Sequence, residues 1–182
     1  LDREVKGRSF AEVSAAAKKV WDEQMGRIKV EGGTEEQQKT FYSCLYRTLL
    51  FPREFYEFDK NEAPVYYSPY DGQIHNGYMY TDNGFWDTFR AVHPLFTLVY
   101  PEVSERIMQS IVNAYSESGF MPEWASPGHR GCMIGNNSIS LLTDAWMKGI
   151  RTFDKDKALE AMLNQTRARS EEISSVGRDG YD

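Results

Sequence analysis

One loop of the sequence combines a carboxylate, a tryptophan and two hydrogen-bond donors. It runs Gly119-Phe120-Met121-Pro122-Glu123-Trp124-Ala125-Ser126-Pro127-Gly128-His129-Arg130. Its Pro and Trp neighbours place Glu123 in partly apolar surroundings, which favour the protonated carboxyl that a general acid needs. Trp124 could stack on a sugar face, while His129 and Arg130 could donate hydrogen bonds to hydroxyl groups. The alternative is that Glu123 is a solvated loop acid paired with Arg130.

A second segment places an aromatic ring beside a carboxylate. In Asp82-Asn83-Gly84-Phe85-Trp86-Asp87-Thr88-Phe89-Arg90, the pair Trp86-Asp87 falls at the start of a predicted helix. Such a pair suits carbohydrate, because the ring takes C–H faces and the acid accepts from hydroxyl groups. The plainer alternative is a core tryptophan and a first-turn acid that the helix dipole favours. Arg90 follows Asp87 by three residues and could form an ordinary helix-surface pair with it.

Composition narrows the class of protein. The 182 residues include 21 Lys and Arg against 27 Asp and Glu, a formal net charge of −6 at pH 7. This balance argues against a nucleic-acid binder, which normally presents a basic surface. No apolar run approaches the roughly 18–20 residues of a membrane-spanning helix. We therefore expect a globular chain with no nucleic-acid partner and no membrane span, whose 14% aromatic content includes rings that do more than fill a core.

Motifs of metal sites and of several hydrolase classes are not found in the sequence. His75 and His93 stand alone, and Cys44 and Cys132 lack metal-ligand spacing and are too few for a disulfide framework. There is no Gly-x-Ser-x-Gly, no P-loop and no Asp-x-Asp-x-Asp-Gly. The sequence thus predicts no self-contained metal site and does not support an esterase or a nucleotide hydrolase.

Local signals predict a mainly α fold of about six helices. Capping boxes at 9–12 and 34–37 begin the first two helices. The first helix should run to about residue 29, before Gly32-Gly33, and the second should end at Pro52. The Tyr-rich residues 53–83 read as a short β or irregular excursion, with 65–67 and 77–80 as strands of a hairpin.

Helical spacing returns in the second half of the sequence. It runs from Phe85 to Phe96, and Pro101 suits the first turn of another helix. Asn137 could cap the next helix, on which Asp144 could face a helix-lined cavity or bond a neighbouring helix end. Asp154 opens a last helix that should reach about residue 173. These elements predict antiparallel helical hairpins whose long loops gather on one rim.

Two long strings resemble signatures of the glycoside hydrolase family 92 α-mannosidases. The first is Asn83-Gly84-Phe85-Trp86-Asp87-Thr88-Phe89-Arg90-Ala91-Val92-His93-Pro94-Leu95, and the second is Gly119-Phe120-Met121-Pro122-Glu123-Trp124. The segments 132–135 and 144–149 continue the second block. The resemblance spans essentially the whole chain and is clearest from 81 to 150.

The resemblance implies a fold and a place within it. Family members have an N-terminal β-sandwich followed by an (α/α)6 barrel. Residues 1–33 would be a linking helix, and 34–182 roughly the N-terminal half of the barrel, partnered by the sandwich and the remaining half-barrel. The chain starts at Leu1 without a signal peptide and stops in the polar turn 177–182, so we expect a segment of a longer polypeptide. A secreted or periplasmic location follows by analogy with the family.

The resemblance also implies roles for residues. Glu123 would be the general acid, in the version of the loop typical of α-1,2-mannosidases. The terminal mannose would be bound by Trp86, Asp87 and, as a weaker candidate, Arg90. Inversion needs a second carboxylate roughly 6.5–9.5 Å from the acid. In the family that base follows a Gly-Arg-Asp-Gly-Tyr segment, which lies at the very end of this chain. Most ligands of a Ca²⁺ cofactor should also lie outside it.

The sequence therefore predicts part of a calcium-dependent, exo-acting, inverting α-mannosidase that acts on mannose-containing oligosaccharides. The 182 residues alone should be inactive, because the base is missing. The alternative is a non-catalytic helical carbohydrate-binding or scaffolding module that uses the Tyr-rich segment as a platform.

Overall fold

The computed structural model describes residues 2–167, which are mainly helical, as predicted. The residues up to Leu50 form one compact unit, and those from Phe51 onward form a second. The predicted domain boundary at 33/34 stays a prediction, because this division concerns packing alone. The predicted end of the last helix near residue 173, and the turn at 177–182, lie outside the described residues. No helix in the described part of the chain has the length and apolar character to cross a membrane.

The first unit contains three helices: α1 (Asp2–Val5), α2 (Phe10–Met25) and α3 (Glu35–Thr48). Both predicted capping boxes are confirmed, at Ser9 for α2 and at Thr34 for α3. The prediction that α2 continues to about residue 29 is wrong. The helix ends at Met25, and the chain then turns so that the Tyr42 hydroxyl of α3 donates to the Ile28 carbonyl and accepts from the Val30 N–H. The Tyr42 hydroxyl of α3 therefore holds the segment that follows α2.

The second unit opens with the predicted β excursion. Its strands are β1 (Arg53–Glu54), β2 (Glu57–Phe58), β3 (Pro64–Tyr67), β4 (Ile74–Asn76), β5 (Tyr80–Thr81) and β6 (Asn83–Gly84), and β7 (Trp124–Ala125) lies much later in the chain. All pairs are antiparallel: β2-β3-β4 form one sheet, β5 pairs with β1, and β6 pairs with β7.

The predicted hairpin partner of residues 65–67 is wrong. Strand β3 pairs with residues 74–76 instead of 77–80, with Tyr67 opposite Ile74. A tight turn sets this register, because Ser68 N–H donates to the Gln73 carbonyl at 2.8 Å and Gly72 adopts a positive φ of 72°. Residue 80 is thereby free to pair with β1.

The helices of the second unit are α4 (Phe85–Thr88), α5 (Val92–Val99), α6 (Pro101–Ser118), α7 (Ser138–Met147) and α8 (Lys155–Arg167). Helix α6 contacts α5, α7 and α8 and carries much of the buried core. The predicted continuous helix from 85 to 96 is interrupted between α4 and α5. Pro101 begins α6, as predicted, and the Asp154 carboxylate accepts from the Lys157 N–H at the start of α8.

Two smaller predictions fail in this unit. Asn137 makes no side-chain cap for α7; its amide donates to the Ile134 carbonyl instead. We considered for Asp144 either a helix-lined cavity or a neighbouring helix end. It forms a partly exposed pair with Lys148, 2.6 Å away on the same helix. Its i,i+4 spacing from Lys148 makes this pairing available locally.

Candidate active site

The two motif-bearing segments meet in a short antiparallel pair. Strands β6 and β7 place Gly84 opposite Trp124. Just beyond this pair, the Phe85 N–H donates to the Glu123 carbonyl at 3.3 Å. The helix that carries Trp86 and Asp87 therefore starts directly beside the loop that carries the predicted general acid.

Glu123 is buried, with 4% of its surface exposed. The preceding loop residues Met121 and Pro122 are also fully buried. Their carbonyl groups are held by the start of α7, because Asn136 Nδ2 donates to Met121 at 2.9 Å and the Ser138 hydroxyl donates to Pro122. Glu123 thus lies on a backbone that its neighbours fasten at two successive carbonyl groups, which limits its freedom to turn toward bulk water.

The two tryptophans of the site keep part of their rings accessible. Trp86 is 38% exposed and Trp124 is 36% exposed, so neither is the plain core residue that we considered for Trp86. The Asp87 side chain folds back over the strand, since a Cβ added at Gly84 would lie 2.8 Å from Asp87 Oδ2. An accessible ring and an accessible carboxylate on one short helix are suited to binding a sugar.

Arg90 bonds to the Trp86 backbone rather than to the Asp87 carboxylate. Its Nη1 donates to the Trp86 carbonyl at 2.7 Å, and its guanidinium lies 4.2 Å from the Phe89 ring centre and 5.2 Å from that of Trp86. No ion pair with Asp87 forms among the described residues, so the helix-surface pair that we considered is not present. Arg90 therefore bonds a backbone carbonyl of α4 and does not pair with the Asp87 carboxylate.

His129 and Arg130 differ in their surroundings. His129 Nε2 lies 2.8 Å from the Ser118 hydroxyl oxygen, and the ring centre lies 4.8 Å from that of Tyr70. Burial lowers the pKa of His129 to about 4, so the imidazole is neutral at pH 7. Arg130 is exposed, and its backbone N–H donates to the Trp124 carbonyl at 2.9 Å.

These positions bear on the predicted roles of both residues. A pair between buried Glu123 and exposed Arg130 is not formed in the described part of the chain. That His129 and Arg130 contact the substrate stays a prediction.

Sequence reasoning missed the residues that lie behind the site. Asn83 Nδ2 lies 2.9 Å from His93 Nε2, and the Thr88 hydroxyl lies 3.0 Å from Asn83 Oδ1. Asn136 and Ser138, which hold the loop that carries Glu123, were missed as well. Asn83, Thr88 and His93 lie inside the first of the two recognised strings, whereas Asn136 and Ser138 lie in neither string and follow no helical or strand period.

One group of side chains outside this site offers atoms that could bind a metal ion. Ligand atoms of Asp71, His75 and Glu117 all lie within 4.8 Å of one another. Hydrogen bonds already engage them: Glu117 accepts from the Tyr66 and Ser68 hydroxyl groups, and His75 Nε2 lies 2.9 Å from Asp71 Oδ2. Ca²⁺ takes about 6–8 oxygen ligands, so this group does not fit the predicted cofactor.

Comparisons with known proteins agree on one family. The model of the glycosyl hydrolase family 92 catalytic domain matches residues 1–182. A solved family GH92 inverting mannosidase from Bacteroides thetaiotaomicron is 73% identical, with a TM-score of 0.94 over 98% of this chain. A family GH92 α-mannosidase from the same organism, solved with mannoimidazole, is 30% identical, with a TM-score of 0.81 over 91% of this chain.

The chain spans only a part of these relatives. It covers 24% and 22% of the two solved mannosidases. An uncharacterized secreted glycosidase from Arthroderma benhamiae is 23% identical over 98% of this chain, which corresponds to 19% of the relative. The chain therefore corresponds to a fragment of a family GH92 catalytic domain, which is an (α/α)6 barrel, in agreement with the predicted fold class.

Proposed function

The chain belongs to glycosyl hydrolase family 92, and we propose that the protein containing it is an exo-acting, inverting α-mannosidase that releases terminal mannose, preferentially α-1,2-linked, from glycans. The observation that carries the proposal is the β6–β7 pair, which joins the backbone of buried Glu123 to the helix of Trp86 and Asp87. The 73% sequence identity of this chain to a solved inverting mannosidase supports the same activity.

Glu123 would act as the general acid. A general acid must hold its proton until the glycosidic oxygen leaves, and removal of a carboxyl from water favours the protonated form. The 4% exposure of Glu123 provides that condition. The proton would pass from the carboxyl to the departing oxygen while the C1–O bond breaks, leaving Glu123 as a carboxylate.

Trp86, Asp87 and Trp124 would bind the terminal mannose. The two rings would take the C–H faces of the sugar, and the Asp87 carboxylate would accept from its hydroxyl groups. Arg90 would support Trp86 through its bond to the Trp86 carbonyl, and His129 and Arg130 would border the leaving sugar.

Inversion also requires a base that activates water on the opposite face of the sugar. We propose that this carboxylate and the Ca²⁺ ligands are supplied by parts of the polypeptide outside the described residues, together with a β-sandwich and the remaining half-barrel. The 182 residues alone would then be inactive. Export from the cytoplasm is part of the same proposal, supported by the relative described as secreted.

The decisive experiment incubates the full-length protein with α-1,2-mannobiose and follows the products by ¹H NMR. We expect mannose release that EDTA abolishes and Ca²⁺ restores, with β-mannose as the first anomer. An initial α-anomer would contradict inversion. Binding of the disaccharide without release would instead support the carbohydrate-binding module.

A further inference from the structure

We infer that Asn83, Thr88 and His93 form a buried relay of hydrogen bonds that positions helix α4, and with it Trp86 and Asp87, for sugar binding. The sugar-binding part of this inference rests on the proposed function. The three residues belong to three successive elements: strand β6, the last residue of α4, and helix α5. The relay would therefore hold the short helix from both of its ends.

Helix α4 is too short to hold itself in place. It has four residues, and isolated helices shorter than about 12–15 residues are marginal in water. Its N-cap position, Gly84, provides no side-chain cap. The Thr88 hydroxyl compensates by lying 3.1 Å from the Gly84 carbonyl and 3.0 Å from Asn83 Oδ1.

The side chains of Asn83 and His93 are also buried. Asn83 is 4% exposed and His93 is 1% exposed, so polar atoms of both must find partners inside the protein. The rings of Phe85 and Phe96 lie 6.3 Å and 5.9 Å from the His93 ring centre. The imidazole is thus surrounded by apolar rings and has Asn83 as its polar contact.

Counting protons then assigns the direction of every bond. His93 Nδ1 is buried without a hydrogen-bond partner among the described residues, so a proton there would lack an acceptor. A 180° rotation of the Asn83 amide exchanges its oxygen and nitrogen without moving other atoms. His93 Nε2–H then donates to Asn83 Oδ1, Asn83 Nδ2–H donates to the Thr88 oxygen, and the Thr88 hydroxyl donates to the Gly84 carbonyl.

In this arrangement each of these three protons has one acceptor, whereas the bare Nδ1 lone pair of His93 has no partner among the described residues. Burial also lowers the pKa of His93 to about 4, so the neutral imidazole that the relay requires is the form present at pH 7. The relay is therefore a fixed chain that runs from α5 through β6 to both ends of α4.

The test compares matched threonine variants of the full-length protein. Thr88→Val removes the relay hydroxyl and Thr88→Ser keeps it. Thr97→Val makes the same change on α5, where the hydroxyl donates to the Pro94 carbonyl at 2.8 Å. For α-1,2-mannobiose we expect Thr88→Val to raise KM about tenfold with a smaller change in kcat. Thr88→Ser and Thr97→Val should stay within about twofold of the parent. Equal effects of Thr88→Val and Thr97→Val would overturn the relay.

A second measurement needs no substrate and so separates the relay from the proposed function. In protein labelled with 5-fluorotryptophan, the ¹⁹F resonance of Trp86, assigned by Trp86→Phe, should shift or broaden in Thr88→Val and remain unchanged in Thr97→Val. If it moves in this way but the parent releases no mannose, the relay holds and the proposed function fails. If the parent releases mannose and the resonance stays fixed, the relay fails alone.

Discussion

Gly84 and Trp124 lie opposite each other in an antiparallel pair of two-residue strands. Through this pair, two segments that are distant in the sequence share one backbone hydrogen-bond ladder. The Glu123 carboxyl on one segment and helix α4, which we propose binds the sugar, on the other keep a fixed relationship because they are anchored to the same ladder. The site therefore depends on close packing at Gly84 as much as on its chemical groups.

Gly84→Ala should weaken the site without unfolding the protein. The new Cβ would lie 2.8 Å from Asp87 Oδ2 and 3.1 Å from Met133 Cε, both ends of side chains that can move aside. Displacement of the Asp87 carboxylate should lower kcat/KM about tenfold, or about 1.4 kcal/mol, with little change in Tm. In a double-mutant cycle, Gly84→Ala should cost nothing further once Asp87→Ala is present; additive losses would contradict this coupling.

Glu123→Gln should have an effect that depends on the leaving group. Without a proton donor, hydrolysis of α-1,2-mannobiose should slow about 10²–10⁴-fold. An activated aryl mannoside, whose departing oxygen needs no proton, should lose little. Glu57→Gln, the same change at an exposed strand residue, is the matched control and should leave both rates unchanged. Equal, slight losses on both substrates would remove Glu123 from the role of acid.

Asn136→Ala should destabilise the loop that carries Glu123. The change leaves the Met121 carbonyl without its donor and also removes a 2.7 Å bond to Gln165 Oε1. Loss of a buried partner costs about 1–3 kcal/mol, which urea denaturation can measure. The neighbouring Asn137→Ala removes only bonds to the nearby carbonyl groups of residues 134 and 135 and should cost less. A smaller loss for Asn136→Ala than for Asn137→Ala would be inconsistent with its role in the loop.

Acid should destabilise the fold before most carboxylates titrate. Burial lowers the pKa of both His93 and His129 from 6.5 to about 4. Above pH 6.5 both are neutral in either state, and their contribution to stability is complete. Between pH 6.5 and 4 the unfolded chain binds protons that the folded chain does not. Each histidine therefore lowers the free energy of unfolding by up to about 1.4 kcal/mol for every pH unit of acidification. Below pH 4 this loss levels off.

Urea unfolding at pH 7, 6 and 5 checks this dependence. His129→Gln should make the free energy of unfolding less dependent on pH between 6 and 5 than it is in the parent. An unchanged slope would show that His129 is not held neutral by the fold.

Short-range features were predicted well from the sequence. The capping boxes at Ser9 and Thr34, the proline at the start of α6 and the β excursion before α4 are all present. Each depends on residues within a few positions of one another, where side-chain chemistry and backbone geometry act directly. The sequence strings around Trp86 and Glu123 indicated the family because their residues are contiguous in the chain and can be recognised without knowledge of the tertiary structure.

Only the tertiary structure decided which residues face each other. Three contacts join residues whose spacing has no period: the register of β3 with β4, the pairing of Gly84 with Trp124, and the contact of Asn83 with His93. The same holds for the burial of Glu123. Burial and long-range hydrogen bonds depend on how whole elements pack, and packing satisfies polar groups and excludes water collectively. The sequence by itself determined the chemical groups and the helices that carry them, whereas packing determined their surroundings.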